Sequence, residues 1–217
     1  MNRLQIVVLS VALIGSLFVG CKDDGVSVDN RPAGLYAKVV NASGNPVVGV
    51  SVHYVFYTTS NPVMLNAWLQ YSLSTQQIVT LKVFDPFGRE VSTLVNAVQQ
   101  PAGVHTRLFD SSVTNGVYSY KLQTGDSSRT WSFFIRDDDL VRLQQKPPLT
   151  TSDQNGQFFL SPSVLGIGRT FQGQFSAETI SDSISVEVVK ANYRTLVQSF
   201  RLDVTKPTDK TFTLVSN

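Results

Sequence analysis

Few residues in this chain are of a type that could do chemistry. Cys21 is its only cysteine, so an internal disulfide is impossible and the thiol must be free, lipidated or paired with another molecule. His53 and His105 are the only histidines. No spacing places a nucleophile or a second metal ligand beside either, so each is expected to be a partly exposed strand histidine. The chain has no Gly-x-Ser-x-Gly elbow, no His-Glu-x-x-His, no phosphate-binding loop and no cysteine pair. Gly166-Ile167-Gly168 lacks a third glycine and a following helix, and reads as a loop. Two acidic groups carry the oxygen chemistry calcium needs. They are Asp137-Asp138-Asp139 and Asp153, the latter in Asp153-x-Asn155-Gly156. Calcium takes six to eight oxygen ligands, and neither group supplies a full set. Asp137, Asp138 and Asp139 are expected to form a solvated hinge, and Asp153 to Gly156 a tight turn. Trp68, Tyr71, Tyr118, Tyr120 and Trp131 could form a platform for stacking sugars. Tyr118, Tyr120 and Trp131 alternate with polar residues and are expected in a core. Trp68 is the aromatic left as a ligand contact.

The segment around Cys21 belongs to targeting. Arg3 supplies a positive start, Leu4 to Val19 is apolar but short for a spanning helix, and Gly20-Cys21 closes the run. A small residue then cysteine at this position resembles a bacterial lipobox, with Phe18 in the looser form found in Bacteroidetes-like bacteria. The resemblance implies cleavage after residue 20 and acylation of Cys21. Two or more acyl chains hold a protein firmly on a membrane. Lys22, Asp23 and Asp24 then resemble the short signal that sends such lipoproteins to the outer face of the outer membrane. Residues 21–32, rich in Gly, Ser, Asp, Asn and Pro, read as a flexible tether.

The elements that must carry everything else are strands. Eighteen basic and sixteen acidic residues give a formal charge of +2. Lys and Arg are scattered, so the footprint of a nucleic-acid-binding protein is missing. Between Leu69 and Ile135, short alternating runs are separated by Asp85-Pro86-Phe87-Gly88, Pro101-Ala102-Gly103, Asn115-Gly116 and Gly125-Asp126. These are turn signals between half-buried strands. Leu140 to Gln145 is too short for a helix and is stopped by Pro147-Pro148. The series Val83-Phe84-Asp85-x-x-Gly88-Arg89-Glu90-Val91, Pro101-Ala102-Gly103 and Gly116-Val117-Tyr118-x-Tyr120-x-Leu122 resembles the immunoglobulin-like module of the flagellar hook-capping protein. It is equally similar to the C-terminal sorting domains of type IX secretion cargo. The resemblance spans residues 58–139, and some eighty residues follow it, whereas sorting domains end their chains.

The flanks read as two parts of one more sandwich. Tyr36 to Val40 and Val48 to Phe56 are strands around the turn Asn41 to Pro46, and a hairpin alone is marginal in water. Further strands follow at Gln157 to Leu160, Ile184 to Val188, Phe200 to Val204 and Phe212 to Leu214. Val39-x-x-x-x-Gly44-x-Pro46-x-x-Gly49-Val50-x-Val52, Thr151-x-Asp153-x-Asn155-Gly156-x-Phe158-x-Leu160 and Val188-x-Lys190-x-x-Tyr193 together resemble the carboxypeptidase regulatory-like domain. That family has a transthyretin-like sandwich. The expected architecture is all-β, with two β-sandwiches, an immunoglobulin-like one inserted into a transthyretin-like one. The expected boundaries are a signal peptide at 1–20, a tether at 21–32, a split host at 33–57 plus 147–217, the insert at 58–139 and a linker at 140–146. Two sandwiches in tandem are the competing arrangement.

From these readings the chain is expected to be a non-catalytic, lipid-anchored display protein of the cell envelope. Its expected partners are the membrane, through acylated Cys21, and an unidentified protein or glycan. No cofactor and no nucleic acid are expected. Two other expectations stand beside this one: a carbohydrate-binding accessory of polysaccharide uptake, and an assembly scaffold facing the periplasm.

Overall fold

Apolar residues at every second position demand sheets with one face buried, and the described residues build five sheets. The computed structural model describes residues 29–55, 66–110, 112–137, 139–172 and 177–217. Cys21, Lys22, Asp23, Asp24 and Asp138 lie outside the described residues.

The strands are, in order, β1 (Gly34–Asn41), β2 (Ser51–Val55), β3 (Asn66–Leu73), β4 (Gln77–Phe84), β5 (Glu90–Gln100), β6 (Gly103–Asp110), β7 (Gly116–Thr124), β8 (Ser127–Ile135), β9 (Thr150–Thr151), β10 (Gln157–Leu160), β11 (Thr170–Gln172), β12 (Ala177–Thr179), β13 (Ser183–Val189), β14 (Leu196–Arg201) and β15 (Pro207–Leu214). One helix, α1 (Leu140–Gln145), lies between β8 and β9.

One sandwich packs the sheet β10-β1-β15 against the sheet β14-β13-β2-β9. Its core joins Leu35, Val39, Val52, Tyr54, Val186 and Phe212. β1 runs antiparallel to β10 but parallel to β15, pairing Gly34 with Pro207 through to Asn41 with Leu214. β2 pairs with β13 and with β9. β1 and β2, expected to pair as a hairpin, lie instead in the two opposing sheets, and each pairs with strands that follow residue 149. The second sandwich lies between β2 and those strands in sequence. Its sheets are β3-β6 and β5-β4-β7-β8, around Leu69, Leu81, Val83, Phe109, Tyr118 and Ile135. The described residues are all-β but for α1. β5 pairs only with β4 among the described strands, with register shifts and with Ala97 at φ 50°. Such bulges twist an edge strand away from further pairing.

Other expectations need correction too. Leu140 to Gln145 does form a helix, because Asp139 caps it, its side chain accepting the N–H groups of Val141 and Arg142. Leu143 is fully buried beneath it. His53 is 2% exposed rather than partly exposed, since α1 packs on β2. The strand at Phe200 stops at Arg201, and Val204 is exposed in the turn that follows.

Candidate functional site

Two places in the fold concentrate polar and aromatic groups. The first is the junction of the sandwiches. Asn115, just before β7, is fully buried. Its Nδ2 donates to the carbonyls of Tyr54 and Asp137, both at 2.9 Å, and its Oδ1 accepts the Asp137 N–H at 2.8 Å. One side chain therefore ties the end of β2 to the end of β8. Asp137 is itself fully buried. It meets Arg142 at 2.9 Å and Lys146 at 3.3 Å. Burial alone would raise its carboxyl, but hydrogen bonds from Arg142 and the Asp139 N–H, with the charge of Lys146, hold it below the usual range.

Beneath α1, Glu187 on β13 stands in register with His53 on β2. Gln144 donates to Glu187 Oε1 at 2.7 Å. Burial pushes the Glu187 carboxyl up, with Gln144 opposing, and it pushes the His53 imidazole down. Glu187 Oε2 and His53 Nδ1 have no hydrogen-bond partner among the described residues. A raised carboxyl keeps its proton in the fold where the unfolded chain has lost it. Stability therefore falls as pH rises past the ordinary value of 4.5. Glu187→Gln keeps the acceptor for Gln144 and removes that slope. It is expected to be more stable than the parent by about 1 kcal/mol at pH 8, with the gain vanishing toward pH 4.5. His53 is depressed, so its stabilising effect is present above 6.5 and lost as pH falls below it, equally in both proteins. Denaturant melts across pH 4–8 measure the difference. A gap that widens toward acid would contradict the assignment.

The second place is the outer face of the β10-β1-β15 sheet, an open cleft of about 690 Å³. Its floor is Tyr36 and Phe159, ring centroids 4.7 Å apart. Both are out of phase with the core: Leu35 and Ala37 flank Tyr36 and point inward, as do Phe158 and Leu160 around Phe159. Phe159 stays 42% exposed. Its ring passes so close to Gly34 that a Cβ there would lie 2.6 Å from Cε2. Lys38, Gln157, Asp153, Asp209 and Thr211 form the rim. Arg31 closes one end. Its guanidinium stands 4.3 Å from the Tyr36 ring centroid and bonds both Asp209 oxygens, at 2.8 and 2.6 Å, and Asp29 at 2.6 Å. The expected tether thus has an anchored end. Arg31 holds the Asp209 and Asp29 carboxyls below their usual range.

The other expected site residues are dispersed. Trp68 on β3 is 69% exposed and faces Leu108 across the ribbon, with Val104 exposed further along β6. Tyr118 and Tyr120 are buried, and Trp131 stacks on Tyr120 at 5.1 Å. Asp137, expected in a solvated hinge, is buried because Asn115, Arg142 and Lys146 enclose it. Asp139 is the cap of α1. Asp153 Oδ1 accepts the N–H groups of Asn155 and Gln157 in its own turn. Among the described residues no group of three or more His, Cys, Asp or Glu could hold a metal ion. His105 lies 2.9 Å from the Pro101 carbonyl and stacks on Tyr71. Sequence reading missed Tyr36 and Phe159 as a pair. Their signal was an apolar residue on the wrong phase of each strand.

No family model matches the chain, and no curated protein matches it. Among solved structures, the Bacillus anthracis TIE protein aligns at a TM-score of 0.23 and 8% identity. The alignment covers 85% of this chain, which spans 50% of that one.

Proposed function

We propose that this protein is a non-catalytic binding module, anchored through acylated Cys21 to the outer membrane of a bacterial envelope and displayed outward. One observation carries the binding half of this reading. The ionisable groups best suited to chemistry are largely enclosed: Asp137 pairs with Lys146 at the junction, and His53 and Glu187 lie beneath α1 within the split sandwich. Aromatic side chains instead reach solvent, at Phe159 on the split sandwich and at Trp68 on the continuous one. Exposed aromatic groups on rigid sheets are the usual anchors of recognition. The anchoring half rests on the sequence Leu4 to Cys21 and on Lys22-Asp23-Asp24.

Proteinase treatment of intact cells tests display. The wild-type chain is expected to be shaved, and a form with residues 22–24 changed to alanine to be protected. Protection of both forms would turn the protein to the periplasm, as the assembly-scaffold reading requires.

A further inference from the structure

We propose that the outer face of the β10-β1-β15 sheet binds a neutral oligosaccharide. This deepens the binding-module reading by naming the ligand class, and rests on it only in requiring that this face has a ligand.

Strand register lays out the face as two rows. Phe159, Tyr36 and Asp209 stand side by side across β10, β1 and β15, and Gln157, Lys38 and Thr211 stand beside one another in the next row. Residues two apart on a strand are roughly 7 Å apart, so linked pyranose rings can rest on the first row and extend over the second. Core packing does not need the Phe159 ring, since Phe158 and Leu160 already supply the inward face of β10. Its Cε2–Cζ edge covers Gly34, and the rest of the ring stays open beside Tyr36. An aromatic floor in an open cleft suits the C–H face of a pyranose. In the second row the Gln157 amide and the Thr211 hydroxyl both donate and accept, and Lys38 donates. Sugar hydroxyls, each a donor and an acceptor, need that mixture.

Charge then selects among ligands. Lys210 lies on the inward phase of β15, over the Phe200 ring of the opposite sheet at 5.1 Å. The outer face therefore carries Arg31 and Lys38 against Asp29, Asp153 and Asp209. Arg31 is bonded to Asp29 and Asp209, and Asp153 to the N–H groups of its own turn. No excess positive charge remains to draw an anion, and a neutral ligand needs none. Apolar area is too small for a protein partner, which would cover about 800 Å² around an apolar centre. The other exposed outward positions of the three strands, Lys38, Gln157, Asp209, Thr211 and Thr213, are polar.

The probes are neutral oligosaccharides of glucose, galactose, mannose and N-acetylglucosamine, with uronic-acid oligosaccharides of equal length. Each is titrated, to about 10 mM, into the purified full-length protein in a detergent without a sugar headgroup. At least one neutral series is expected to bind with a dissociation constant of about 1 mM or tighter. Its binding should not weaken as salt rises. Phe159→Leu keeps an apolar cover over Gly34 but removes the ring face, and is expected to weaken binding by about tenfold. Gln157→Ala is expected to weaken it several-fold. Both side chains are exposed, so the variants should melt like the parent; Gln157→Ala serves alone if Phe159→Leu does not. No binding by any neutral series would overturn the proposal. So would binding confined to the acidic series or abolished by salt, or indifference to both variants. None of these results bears on proteinase shaving, so the display reading fails or stands separately.

Discussion

Replacing Asn115 by alanine is expected to destabilise the protein by about 3–5 kcal/mol, among the largest effects of any single change. The side chain is fully buried and satisfies three backbone groups, the carbonyls of Tyr54 and Asp137 and the N–H of Asp137. Alanine removes all three of these bonds, in a place too enclosed for bulk water to replace them. The loss falls between the sandwiches, not within either core. Calorimetry should show a melting temperature lower by roughly 10 °C. It should also show one transition separating into two, since the clip couples two otherwise independent cores. Asn115→Asp restores the acceptor but turns a buried carboxylate oxygen toward the two carbonyls, so at neutral pH it should lose at least as much as the alanine variant. A shift of under about 2 °C for the alanine variant would mean the junction is held by something else.

Gly156→Ala is expected to cost about 2–5 kcal/mol, from two separable causes. Gly156 sits at φ +72°, and its added Cβ would lie 2.5 Å from the Val39 carbonyl oxygen and 3.2 Å from Pro46 Cβ. That contact is with backbone, and the same backbone is bonded to the turn, because the Val39 N–H donates to the Gly156 carbonyl at 2.7 Å. Gly44 separates the causes. It has φ +80° with nothing within 4 Å of its added Cβ, so Gly44→Ala carries the conformational cost alone, about 1–2 kcal/mol. Chemical denaturation of the pair reads the difference as the steric part. Equal losses at the two positions would show that the turn can move away from β1.

These two sites mark how far the sequence could be read. The Gly44-x-Pro46 and Asn155-Gly156 patterns were legible as turns because positive φ selects glycine locally. That the two turns touch was legible only through a resemblance, as the residues lie over a hundred positions apart. Alternation likewise exposed the core faces of β4, β7 and β13, where a period of two is a local property. The burial of His53 was not legible. It depends on α1, whose six residues are too few to show a periodicity and whose stability comes from the Asp139 cap and from Leu143. The Tyr36–Phe159 floor was hidden for the same reason as the junction clip. Each needs two strands brought together by long-range pairing, and a single strand shows only that one apolar residue is out of step. Trp68, by contrast, was singled out from its own position and is exposed.

The pairing of β1 with β15 has a consequence for the order of folding. The first strand of the split sandwich has as its parallel neighbour the last of the described strands, from Gly34 with Pro207 to Asn41 with Leu214. Contacts so distant in sequence close late, because the loop entropy must be met before they contribute. The continuous sandwich of residues 66–135 can mature while β1 still waits. A chain emerging N-terminus first would therefore leave β1 without its parallel neighbour until Pro207 to Leu214 are out. Closure of the split sandwich would then wait on the emergence of β15, whatever the state of β3 to β8.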